Sequence, residues 1–137
     1  MTKLKYYISG PISGYPDGNK DSFYTTHKKL EEISIRTGVN LQIVNPHDLD
    51  LVAAPPVDLN PDAHWIWCMR RDIKALCDCD AVVLLPGWEL SRGARMEVWT
   101  AHKFGMPFFR IFDNGLVEEF ISIDDPEIVP LVHSINW

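Results

Sequence analysis

Residues 81–87, Ala81-Val82-Val83-Leu84-Leu85-Pro86-Gly87, set five apolar side chains in a row and then break. So short a run, closed by turn formers, is the pattern of a strand buried on both faces, and such strands belong to parallel sheets covered by helices on both sides. Working outward, Asp62 is available to cap a preceding helix that Asp80 ends, with Ile66, Met69, Ile73 and Leu76 on one face and Arg70, Arg71 and Lys74 largely elsewhere. Downstream, residues 94–104 read as a helix stopped by Gly105, and 107–112 as a further strand.

The N-terminal part repeats the pattern. Leu4 to Ile8 is a β-prone run that halts at the breaker cluster Ser9-Gly10-Pro11-Ile12-Ser13-Gly14. Phe23, His27, Leu30, Ile33 and Ser34 recur at helical spacing, which predicts a helix over 21–37 with Asp21 as cap and Gly38 as stop. Residues 39–44 supply another strand, and 50–61, with three prolines and no helical period, an extended loop. Strands alternating with helices predict a single-domain α/β fold, a flavodoxin-like or Rossmann-like three-layer sandwich with a mostly parallel sheet. Residues 114–137 are less regular; a short helix over 127–133 and a packed Ile135-Asn136-Trp137 end are the readings there.

Composition narrows the function. The 137 residues carry 19 acidic against 13 basic side chains, a net charge of −6, which argues against a nucleic-acid polymer or an anionic membrane as partner. No apolar run reaches membrane-spanning length and no signal-peptide core opens the chain, so a soluble, cytoplasmic protein is expected. The cysteines Cys68, Cys77 and Cys79 lack zinc-type spacing and read as reduced packing thiols. His47-Asp48 reads as part of a polar loop rather than a metal ligand pair, so neither metal nor cofactor is expected.

If the strand order is 2-1-3-4, it reverses between the first and third strands, where ligands of open α/β sheets bind. The loops leaving those strands, 9–14 and 86–93, are the glycine- and serine-bearing ones, so a small-molecule site is expected there. Neither carries a dinucleotide fingerprint, a phosphate-binding Gly-Lys-Ser/Thr or a nucleophile elbow around Ser91. The remaining chemistry lies in carboxylates. By local physics alone, Glu97 is a carboxylate favoured near a helix N-terminus and Asp72 a solvated helical residue. Trp88 either stacks on a ligand or caps the core, stacking being slightly favoured.

The succession Tyr7-Ile-Ser-Gly-Pro-Ile-Ser-Gly14, Met69-Arg-Arg-Asp72, Asp80-Ala-Val-Val-Leu-Leu-Pro-Gly-Trp88 and Ser91-Arg-Gly-Ala-Arg-Met-Glu97, with Ala101 and Gly105, resembles the nucleoside 2-deoxyribosyltransferase superfamily over residues 5 to 112. Within it the chain looks closest to short phage and prophage proteins carrying an uncharacterised domain. The resemblance implies that Glu97 is a nucleophile on the sugar anomeric carbon, oriented by Tyr7, and that Asp72 contacts the sugar and handles the leaving base. It places Ser91 against the sugar 5′ end, with Ser9, Gly10, Ile12, Ser13, Gly14, Gly87, Trp88, Arg92 and Gly93 around the substrate, and it favours a homodimer or larger homo-oligomer.

Cleavage of an N-glycosidic bond passes through an oxocarbenium-like state that one carboxylate can trap while a second acid protonates the base. Serine at 91 resembles the branch hydrolysing nucleoside 5′-monophosphates, and Arg92 and Arg95 can add charge for a phosphate, but that branch carries arginine where this chain has Ser13. The expected substrate is a small (deoxy)nucleoside or its 5′-monophosphate. The alternatives are a nucleotide-binding module without turnover and a phosphoribohydrolase, whose Pro-Gly-Gly-x-Gly-Thr is not matched by Pro86-Gly-Trp88.

Overall fold

A computed structural model of the chain describes residues 3–111 and 117–120. The strands are β1 (Leu4–Ser9), β2 (Leu41–Val44), β3 (Ala81–Leu84), β4 (Phe108–Ile111) and β5 (Val117–Phe120). The helices are α1 (Lys20–Thr37), α2 (Pro46–Val52), α3 (Pro61–Cys77) and α4 (Arg92–Lys103). They form one sheet of order β2-β1-β3-β4-β5, parallel from β2 to β4, with β5 antiparallel on the edge. The expected fold and the reversal between β1 and β3 are both present.

Alternation along the strands divides the core in two. Tyr7, Val82, Leu84 and Phe108 pack with Leu76 of α3 and with Ala94, Val98 and Ala101 of α4. Ile8, Val83 and Leu85 face the other way, onto Phe23 and Leu30 of α1. The central run 81–85 is buried throughout, as its lack of polar residues requires.

Several local expectations change. Residues 50–61 are not one extended loop. Helix α2 runs from Pro46 into Val52, started by Asn45, whose side chain accepts from the His47 N–H, so His47 sits in a helical first turn and not in a loop. Asp62 does not cap α3; Asn60 does, accepting from Ala63 N–H, and Pro61 fills the first helical position where a missing N–H does no harm. Helix α1 begins one residue before Asp21, after a 3-10 turn at Pro16–Asn19, and no side chain caps it. Helix α4 starts at Arg92, two residues before the expected point, because Ser91 is its cap. On α3 the buried residues are Met69, Asp72 and Leu76, whereas Ile66 is half exposed. The expectations for 127–133 and 135–137 lie outside the described residues.

No helix among the described residues is long and apolar enough to cross a membrane.

Candidate active site

The reversal point holds a cavity of about 830 Å³. Its floor is made where β1 and β3 end side by side: the Leu85 N–H donates to Ser9 C=O at 2.9 Å, and a Cβ on Gly10 would stand 2.6 Å from Leu85 Cβ. Only glycine lets the first loop leave the sheet this close to the second. Gly10, Ile12 and Ser13 line one side, Ser91, Arg92, Gly93 and Glu97 a second, and Met69 and Asp72 a third.

Glu97 is 5% exposed and lies in the second turn of α4, past the reach of the helix terminus, so the macrodipole is not what holds it. Both its oxygens are engaged. The Tyr7 hydroxyl donates to Oε2 in a short hydrogen bond, and Ser9 Oγ donates to Oε1 at 2.8 Å. Burial pushes Glu97 up to about 8, with the Asp72 charge adding to the rise and the two hydroxyl donors opposing it. Tyr7 is held well above the usual phenol range by burial, then by Glu97 and Asp72, so it remains a donor. Tyr7 and Ser9 therefore stand behind the cavity wall and act on it through Glu97.

Asp72, 5% exposed, is not the solvated helical residue that its charge suggested. It lines the cavity and accepts a hydrogen bond on Oδ1 from Arg71 Nε at 2.9 Å, with Nη2 forming an ion pair to the same oxygen at 2.9 Å. Burial pushes Asp72 up to about 6, and the Arg71 guanidinium works against that rise.

Besides Ser9, three expected ligand contacts are placed elsewhere. Trp88 is buried in the core beside Tyr7 and Val98, so it caps the core and is not available to stack. Gly14 and Gly87 are not among the lining residues; Gly87, at φ 85°, is the turn after Pro86 and abuts the Tyr15 hydroxyl. Arg95 is also off the wall. In compensation, Trp65, half-buried on α3, lines the cavity with the Arg92 guanidinium 3.8 Å above its ring. A Cβ on Gly93 would meet Met69 Sδ at 3.1 Å, with Trp65 Nε1 at 3.9 Å. The small residue after Arg92 thus lets α4 seat against α3 at the cavity.

Cys68 also faces the cavity, Cys79 is buried and Cys77 exposed, and all three are free thiols. Among the described residues no group of three or more His, Cys, Asp or Glu side chains is placed to hold a metal ion.

The model of a domain of unknown function, DUF4406, matches residues 4–110. The chain belongs to the DUF4406 family. No curated protein and no solved structure matches it. The DUF4406 match runs from the start of β1 into β4 and contains every residue of the cavity wall, from Gly10 to Glu97.

Trp65, Asp50 and Arg71 of this DUF4406 domain were not singled out as site residues by sequence. Trp65 lies in the first turns of a helix whose apolar period is carried by other positions. Asp50 lies in a segment whose prolines and lack of helical period predict a loop, and it sits in the last turn of α2.

Proposed function

We propose that this DUF4406 domain cleaves or transfers the N-glycosidic bond of a small (deoxy)nucleoside or nucleoside 5′-monophosphate through Glu97. The observation that carries this reading is a buried carboxylate at a cavity wall whose two oxygens are fixed by Tyr7 and Ser9, with a second buried carboxyl, Asp72, on the facing helix. Two carboxyl groups in unlike surroundings are what glycoside chemistry asks for, one to meet the anomeric carbon and one to give a proton to the leaving group.

In this scheme an ionised Glu97 oxygen attacks the anomeric carbon as the bond to the base nitrogen breaks, and the base leaves with the proton from Asp72. Water or a second base then takes the glycosyl group from Glu97. Tyr7 and Ser9 keep the carboxylate in one rotamer so that attack needs no reorganisation. The resemblance to nucleoside 2-deoxyribosyltransferases points to the same roles for Tyr7, Asp72 and Glu97.

A second reading, a nucleotide-binding module, draws on the rise of Glu97 to about 8, since a neutral carboxyl suits holding a ligand better than attacking it. Incubation with a panel of nucleosides and 5′-monophosphates, with free base measured by chromatography, separates the two. Base release is expected. Ligand binding without release on the whole panel would establish the binding module instead.

A further inference from the structure

One side chain that this scheme leaves unused joins the candidate acid to the cavity rim. Arg71 is largely buried and its guanidinium is fully engaged in two directions. Toward the site, Nε and Nη2 converge on Oδ1 of Asp72 at 2.9 Å. Toward the rim, Nη1 donates to Asp50 Oδ1 at 2.6 Å, in the last turn of α2, and to the carbonyl of Ala53 at 3.0 Å, just past its end. The Trp67 ring lies 5.5 Å from the same guanidinium. Asp50 and Pro55, either side of Ala53, both line the cavity.

Resting on the function proposed above, we infer that Arg71 is a positioning residue that fixes Asp72 with Oδ2 free for proton delivery and ties that orientation to the α2 rim. The hydrogen bond from Nε and the ion-pair contact of Nη2 fall on one oxygen, and no hydrogen bond to Oδ2 is formed among the described residues. A carboxyl pinned on one oxygen presents its proton on the other, which removes the rotational search an unpinned acid must make. Once the proton has left for the base, the cation beside Asp72 stabilises the carboxylate that remains. Lysine cannot substitute, because a point charge cannot serve Asp72, Asp50 and the Ala53 carbonyl from one rigid plane.

The charges that face Asp72 come from every element around it: Arg71 on its own helix, Asp50 on α2, Glu97 on α4, and the Tyr7 hydroxyl and Cys68 thiol on β1 and α3. Arg71 favours the ionised form of Asp72, and Asp50 opposes it. Removing one or the other must therefore move Asp72 in opposite directions, which simple loosening of the rim does not do.

The test compares wild type with Arg71→Met, Arg71→Lys and Asp50→Asn in pH-dependent base release, on proteins whose melting temperatures stay within a few degrees of one another. Arg71→Met should lower kcat roughly tenfold to a hundredfold with little change in KM and move the acid limb of the profile up by about one unit. Arg71→Lys should restore the position of that limb but not kcat. Asp50→Asn, an exposed rim change that keeps the Arg71 to Asp72 bond, should move the limb the other way and guards against a failure of Arg71→Met to fold. Active wild type with limbs unmoved in Arg71→Met and Asp50→Asn would overturn the role of Arg71 alone. Wild type that releases no base from any substrate would overturn the glycosidic reading, and the role of Arg71 with it.

Discussion

Glu97 and Asp72 together set the pH behaviour expected of the site. With Glu97 near 8 and Asp72 near 6, the pair holds a single proton between about pH 6 and 8. These values place that proton mainly on Glu97, and the proposed reaction draws on the less populated tautomer of the same singly protonated pair, with the charge on Glu97 and the proton on Asp72. Base release should follow a bell centred near pH 7 whose limbs belong to the pair rather than to either residue. A flat profile from pH 5 to 9 would count against paired carboxyl chemistry. Glu97→Gln should reduce base release by roughly a thousandfold or more, while the melting temperature at pH 7 stays within a few degrees.

The same shift carries a sign for stability. A carboxyl whose folded pKa lies above its unfolded value binds its proton more tightly when folded, so its contribution is present at low pH and is lost as pH rises. For Glu97 the window runs from its ordinary 4.5 to about 8, and for Asp72 from 3.8 to about 6. Thermal melts of the wild type should fall across that span, and those of Glu97→Gln should fall less steeply. Parallel curves would mean that Glu97 ionises in the folded protein as easily as in the unfolded chain.

At the level of elements, the loop-to-α4 junction is where phosphate would be read. Ser91 caps α4 by accepting from the Ala94 N–H at 3.2 Å, and Arg92 lies over Trp65 at the cavity. A helix N-terminus with an adjacent guanidinium suits an anion. A 5′-monophosphate should therefore bind about ten- to a hundredfold more tightly than its nucleoside, and Arg92→Ala should erase most of that difference while leaving nucleoside affinity alone. Competition titration at matched ionic strength measures both; equal affinities in wild type would show that the 5′ end is held only through its hydroxyl.

Elements also show where sequence reading works and where it stops. The apolar run at 81–85 and the breakers at 9–14 and 86–87 define strands and loops by local chemistry, so they are legible in the sequence alone. Residues 46–52 are not, because a two-turn helix after Asn45-Pro46 is too short to show a period. Asp72 is hidden from a sequence reading by its charge: periodicity puts Ile66 on the buried face, yet Ile66 is half exposed and off the cavity wall, whereas Met69 and Asp72 line it. For Trp88 the sequence slightly favours stacking over capping the core; the 3-10 turn that carries it folds its ring into the core. The roles of Tyr7 and Ser9 depend on a partner about ninety positions away, which no local pattern encodes.

For the whole molecule, the division of the core predicts two kinds of core mutant. Leu30, on α1, packs against the face of the sheet opposite Leu76. Leu30→Ala should cost about 2–5 kcal/mol of stability and leave base release unchanged well below the melting temperature. Leu76→Ala should cost a similar amount and also lower kcat, since its neighbours include Tyr7, Ala94 and Val98, which seat Glu97. Urea unfolding paired with activity at low temperature checks both. Equal effects on kcat would show that the two halves of the core transmit strain to the site alike.

The hydrogen bonds from Tyr7 and Ser9 to Glu97 span 90 and 88 positions of chain. As the polypeptide leaves the ribosome, the acceptor of both bonds appears only after β1, α1, β2, α2, α3 and β3 have all been synthesised. Until then Tyr7 and Ser9 have no carboxylate to serve. Loops this long close late, after helices have formed. In a refolding experiment the helical circular dichroism signal should therefore recover first and the ability to release base last, which makes catalysis the final reporter of a correctly threaded sheet.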